Sequence, residues 1–272
     1  MHRPWPLYGQ QKTLMLINIL CCSAFSTQAY SADEEWKFTS KNAYIDRNYD
    51  NPDVKDTGSW SQSVSLFYNS NMHDTPLEIG GTPIQIGANA SAQYAVRLSQ
   101  DKHVADTVLP FDKATQSQAP DYLKYGATLK IGYNKTLLSI GELWLDLPVT
   151  TVDASRQLLT SYWGANLKSQ LNNKLFAEIG RIEKVSPRNE EDFHRFSFTS
   201  KGVTGYSDGL NYIDLRYQFT PTLKGEYYFG NMEDLYNKHY VGVDHIWKNS
   251  NFSVNSKFKY FNAKDNGHLF DI

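Results

Sequence analysis

Cysteine is nearly absent from this chain. Of 272 residues only Cys21 and Cys22 are cysteines, adjacent to one another near the N-terminus. Long apolar runs are missing too. A helix that crosses a bilayer needs about 20 apolar residues, and no stretch beyond residue 30 provides them. Neither sign of charge dominates, with 27 Lys and Arg against 29 Asp and Glu, so a nucleic-acid partner gains no support. The sequence contains no His-Glu-x-x-His pair and no glycine-rich phosphate loop. The histidines after the leader, His73, His103, His194, His239, His245 and His268, are scattered without metal-ligand spacing. No enzyme chemistry, metal or cofactor is expected from these residues.

What is present begins with an export signal. Arg3 and Lys12 precede the short apolar stretch 13–25, and small residues near Ala29 or Ala32 suit a signal peptidase. Residues 1–29 are therefore expected to be a signal peptide and 30–272 the mature domain. Both cysteines leave with the signal, which removes disulfides and thiolate metal sites from consideration.

The mature chain alternates. In IQIGANASAQYAVRL, residues 84–98, the even positions Ile84, Ile86, Ala88, Ala90, Ala92, Tyr94, Val96 and Leu98 are apolar. The odd positions are polar or glycine except Ala95. Strand side chains point alternately to opposite faces, so this is a long strand with one greasy and one wet face. Clear repeats of the pattern occur near 125–133, 213–219 and 252–260, and weaker ones at 36–45, 60–68, 137–145, 162–169, 174–184, 222–229 and 238–247. That makes about eleven strands and no convincing amphipathic helix. Asn- and Pro-rich turns at 134–135, 171–173, 220–222 and 248–251 alternate with longer links near 48–59, 99–121, 146–161 and 185–206. Only the 69–83 link is longer than its place in the series predicts. Short turns alternating with long loops describe an antiparallel up-and-down transmembrane β-barrel. Tyr94, Tyr125, Tyr133, Trp163, Tyr217, Phe219, Tyr227, Phe229, Trp247, Phe252 and Tyr260 fall on the apolar face, as interfacial girdles would. The opposite face carries Ser, Asn, Gln, Gly, Lys and Arg, which suits a water-filled lumen better than the outside of a soluble sandwich. A secreted β-sandwich that binds a ligand, and a barrel enzyme or adhesin of the outer membrane, are the competing readings.

The link LDLPVTTVDASRQLLTSYWG, 145–164, is apolar enough to fold inward. Ser155 and Arg156 sit in its middle. An arginine at a constriction offers a planar fork to a carboxylate; an arginine capping a surface loop fits the spacing equally well.

These residues resemble the OprD family of outer-membrane porins. The resemblance is carried by Asn134-Lys135-Thr136, Gly141-Glu142, Pro148-Val149 and Ser155-Arg156-Gln157-Leu158-Leu159, in the family's order. Asn42-Ala43-Tyr44-Ile45-Asp46-Arg47 is similar to the family's first strand, and Met232-Glu233-Asp234-Leu235-Tyr236 to a later motif. The family implies a barrel of about eighteen strands whose third loop folds into the lumen, with basic side chains guiding small carboxylated solutes such as amino acids or peptides. By that resemblance Arg47 is a ladder position, and Ser155 with Arg156 the substrate-carboxylate position of the constriction. Asp56-Thr57-Gly58-Ser59-Trp60 offers no arginine where the family has a second early basic residue. The resemblance further implies a Gram-negative outer-membrane location, contact with lipid and lipopolysaccharide, and assembly of independent pores into homo-oligomers. The chain stops at KDNGHLFDI after about the eleventh strand, so the barrel is expected to be incomplete at its C-terminus.

Overall fold

In the computed structural model the described residues are 13–19, 34–99, 108–112, 116–150, 152–200 and 202–267. Among them there is no helix. The strands are β1 (Thr13–Ile19), β2 (Glu35–Arg47), β3 (Thr57–Asn69), β4 (His73–Ile79), β5 (Thr82–Ser99), β6 (Phe111–Asp112), β7 (Ser117–Gln118), β8 (Asp121–Tyr133) and β9 (Thr136–Leu143). They continue as β10 (Ser161–Gln170), β11 (Leu175–Ser186), β12 (His194–Ser200), β13 (Val203–Ser207), β14 (Leu210–Thr220), β15 (Leu223–Met232), β16 (Tyr236–Lys248) and β17 (Ser253–Asp265).

One antiparallel sheet runs β1-β2-β3-β5-β8-β9-β10-β11-β14-β15-β16-β17. From β2 onward each member of that path matches one strand expected from the alternation. The long 69–83 link also finds its explanation. It contains β4, which takes over from β3 along the same edge of β5, pairing His73 with Ile86 and Asp74 with Gln85. Gly80 and Gly81 then close the hairpin with φ of 59° and 78°, a pair of left-handed positions that a two-residue turn demands and glycine adopts without strain. Asn134, with φ 50°, does the same at the β8–β9 turn. Between β10 and β11 the Asn172 side-chain amide oxygen accepts the Lys174 and Leu175 N–H groups at 2.9 and 3.1 Å, a side-chain turn that fixes the register.

The alternation of link lengths has one exception on the long side. Only Glu233, Asp234 and Leu235 separate β15 from β16. The Arg181 guanidinium donates to Glu233 Oε1 at 2.5 Å and Ser207 Oγ donates to the Glu233 carbonyl at 2.7 Å, which ties this short turn to β11 and β13. The 185–206 link is also more ordered than its composition suggests, since it folds into the β12–β13 hairpin.

The sheet is inside out. On β8, Tyr125 is 75% exposed and its neighbour Lys124 only 2%. On β3, Ser59, Ser61, Ser63 and Ser65 are buried while Trp60, Val64 and Leu66 are exposed. A water-soluble sandwich buries the opposite set; a wall between lipid and a filled lumen buries this one. Ala95, the apparent break in the β5 pattern, is fully buried against Leu158, Ile45 and Tyr122. It faces inward as its position requires, and its lack of polarity serves packing.

Candidate functional site

The link 144–160 connects β9 to β10 through the inside of the sheet. The alternation of β9 runs on into it: Leu143 at the end of β9 and Leu145 and Leu147 of the link pack with Tyr162, Ile182, Leu210, Tyr212, Tyr228, Met232 and Tyr240. Tyr212 and Tyr228 stack with ring centroids 6.2 Å apart. Gly180 leaves the space that the Tyr212 ring occupies, because a Cβ there would meet its hydroxyl. The end of the link packs elsewhere. Leu158 is fully buried among Ile45, Ala95, Val108, Leu109 and Tyr122, which places it against β2, β5 and β8. One loop therefore touches both halves of the curved wall, and the residues between its two apolar anchors lie in the lumen.

Hydrogen bonds pin the second anchor. Gln157 Nε2 donates to the Ser61 carbonyl at 3.1 Å and to Ser61 Oγ at 2.7 Å, and Ser63 Oγ donates to the Gln157 carbonyl at 3.2 Å. The Leu159 N–H donates to Gln93 Oε1 at 3.1 Å.

Ser155 and Arg156 stand just ahead of this anchor. Lys41 of β2 donates to the carbonyls of Ala154 and Arg156 at 3.3 and 3.2 Å. Arg188, from the β11–β12 link, pairs with the Asp153 carboxylate and donates to Ser155 Oγ at 2.9 Å. Arg156 is half-buried, and its guanidinium donates to the Ser155 carbonyl at 3.1 Å. Lys41, Arg156 and Arg188 thus meet along residues 153–156 of the loop, where Arg188 is paired with Asp153.

Arg47 is not part of that group. It ends β2 on the same face as Lys41 and Ile45, but six residues along the strand from Lys41, about 20 Å at ~3.3 Å per residue. It lies further along the inner wall, toward the long links. Lys41 and Arg188 were absent from the residues singled out in the sequence. The parity of β2 points to Lys41, because it shares a face with Arg47; nothing local marks Arg188, which belongs to a link and reaches Asp153 only in three dimensions.

The other wall carries a charge web of mixed sign. Arg216 of β14 lies 2.7 Å from Asp214, 3.2 Å from Glu226 and 3.6 Å from Glu178, and Lys168 lies 3.7 Å from Glu178. No nucleophile elbow is expected from the sequence, yet Gly205-Tyr206-Ser207-Asp208-Gly209 has its spelling. It is none: the string leads from β13 into another strand, not a helix, and the fully buried Ser207 donates its hydroxyl to a main-chain carbonyl.

The family model for outer membrane porins of the OprD family matches residues 28–270. The porin-like protein GalP of Pseudomonas putida is 27% identical over 265 residues, which are 96% of this chain and 62% of that protein. The crystal structure of Acinetobacter baumannii OccAB4 superposes with a TM-score of 0.85 at 77% identity, over 89% of this chain and 62% of that one. For OccAB2 of the same organism the TM-score is 0.78 at 28% identity, covering 87% and 59%. The chain thus spans somewhat less than two thirds of the length of these relatives. An inside-out antiparallel sheet, a loop laid across its inner face and a family match along nearly the whole sequence agree: the chain belongs to the OprD family of outer-membrane porins.

Proposed function

We propose that this chain builds most of the wall and the constriction of an outer-membrane diffusion channel for small carboxylate-bearing solutes such as amino acids or short peptides. The observation that carries the reading is the loop 144–160, anchored on both walls, with Ser155 and Arg156 held between Lys41 and Arg188. A carboxylate entering this space meets the Arg156 guanidinium beside Lys41 and the Arg188–Asp153 pair, in a site partly withdrawn from water, where each charge counts for more than in bulk. Arg47, on the same wall, is the preceding station on the approach. The exposed apolar face and its girdle of Tyr and Trp contact lipid and lipopolysaccharide, and its lateral surface is available for oligomers of independent pores.

A channel needs a closed wall, because unpaired strand edges are not tolerated in lipid. From β2 to β17 the path has both end strands running in the same direction, so antiparallel closure takes an odd number of further strands. A closed barrel for testing is obtained by joining this chain to the complementary strands of OccAB4. Liposomes carrying it are expected to swell faster in N-acetylglycine than in N-acetylglycinamide, solutes of nearly equal size. Equal rates would contradict selection for the carboxylate, and absence of swelling would contradict the channel.

A further inference from the structure

The inner face of β8 presents Lys124, 2% exposed. Its ammonium has three protons to donate, and three backbone carbonyls receive them: Leu159 at 2.7 Å, Ser186 at 3.0 Å and Pro187 at 2.9 Å. The first carbonyl belongs to the end of the inward loop. The other two lie where β11 gives way to the link that carries Arg188. Tyr122, two residues earlier on the same face, donates its hydroxyl to the Arg188 carbonyl at 2.6 Å. One strand face therefore holds two separate segments, and those segments bring Ser155, Arg156 and Arg188 together.

We propose that Lys124 is a positioning residue of the constriction: it fixes the inward loop to the 186–188 segment and so sets the opening beside Arg156, without touching the solute. Its charge lies in the lumen wall, yet its donors are filled by carbonyls that have no proton of their own to share. Removal of the ammonium leaves three carbonyls without that donor, and the loss falls on the seating of both segments at once. Lys130, on the same face of the same strand, differs. It donates to Asn69 Oδ1 at 2.7 Å and to the Ser70 carbonyl at 2.8 Å, near the β3–β4 junction and beside Trp144 and Leu145 at the start of the loop, not at the 159 end that Lys124 holds. It serves as the internal control.

The inference deepens the channel reading in one respect, since that reading says what the opening is for; the measurement itself does not depend on transport. In the full chain within the closed barrel, Cys21 and Cys22 are replaced by serine and Thr160→Cys supplies a single thiol. Thr160 is buried beside Leu159, so its thiol reacts with a bulky water-soluble maleimide only when the loop lifts. Lys124→Met is expected to raise the reaction rate at least about tenfold, the equivalent of losing one hydrogen bond to a charged group, while Lys130→Met leaves it unchanged. The carboxylate-to-amide swelling ratio should fall much less in Lys124→Met than in Arg156→Ala. If Lys124→Met yields no folded barrel, Lys124→Gln, which keeps two N–H donors, takes its place with a smaller rise expected. An unchanged rate in the variant that folds, or an equal rise in Lys130→Met, overturns the proposal. A parent barrel that shows the thiol effect but no swelling refutes the channel and leaves the loop clasp standing.

Discussion

At the residue scale the account rests on Arg156. A charge-assisted hydrogen bond is worth about 1.5–3 kcal/mol, so Arg156→Ala in the closed barrel is expected to lower the preference for N-acetylglycine over its amide by roughly tenfold or more. Barrel formation should be untouched, because the loop's anchors are Leu158, Gln157 and the leucines of 143–147. Arg156→Lys should restore part of the preference, since an ammonium keeps the charge but lacks the planar fork. Swelling rates for the matched solutes check both variants; a drop of equal size for both solutes means that Arg156 only shapes the aperture. Ser155 and Arg156 stood out in a string of five residues, and the structure sets that string beside Lys41 and Arg188. Lys41 and Arg188 did not, since Lys41 meets the loop across 115 residues of sequence and only the folded sheet brings it there.

At the element scale the two faces of β5 make different demands. Ala90 is exposed on the outer face and Asn89 half-buried on the inner one. Ala90→Arg is expected to destabilise the closed barrel by ~2–4 kcal/mol if it sits near the bilayer midplane, while Asn89→Arg is accommodated in the lumen. Urea unfolding in lipid vesicles measures both, and equal losses would refute the face assignment. The β15–β16 turn gives a second test, outside the membrane-spanning segments. Hydrogen bonds from Arg181 and then Asn211 hold the Glu233 carboxyl below its ordinary range. A depressed carboxyl stabilises above the unfolded pKa, and the gain fades as pH falls through the folded value. Glu233→Gln should therefore lower the heat-dissociation temperature slightly at pH 7, by little because the pair is part-exposed, and the gap should close in strongly acidic buffer. A gap that widens on acidification would contradict the assignment. Period-two alternation exposed every strand of the main path from β2 onward, since each separates lipid from lumen along its length. It did not reveal β4, nor the β12–β13 hairpin, because strands of only 7, 7 and 5 residues repeat the pattern too few times to stand out from a loop.

At the scale of the whole molecule the decisive property is the inversion of polarity across one sheet. It is legible in the sequence, from the greasy and wet sides of 84–98. The loop's path from one wall to the other was only half legible: its apolarity announced that it turns inward, but its anchors lie on strands distant in sequence. The same inversion makes an open edge costly. In lipid the unpaired N–H and C=O groups of β17 cost several kcal/mol each, so residues 30–272 by themselves are expected to be degraded by added protease, and the closed barrel to resist it. A protease-resistant conducting species from residues 30–272 would show that the chain closes in another way. The most direct test of the inversion compares two single cysteines in the membrane-embedded closed barrel, Asn89→Cys and Ala90→Cys. In the bare chain Ala90 is the more exposed of the two, so exposure by itself favours faster reaction of Ala90→Cys with a small water-soluble thiol reagent. The account predicts the reverse: Asn89→Cys, facing the lumen, reacts, and Ala90→Cys, covered by lipid, stays protected until detergent or denaturant removes the bilayer. Faster labelling of Ala90→Cys in the intact membrane would contradict it.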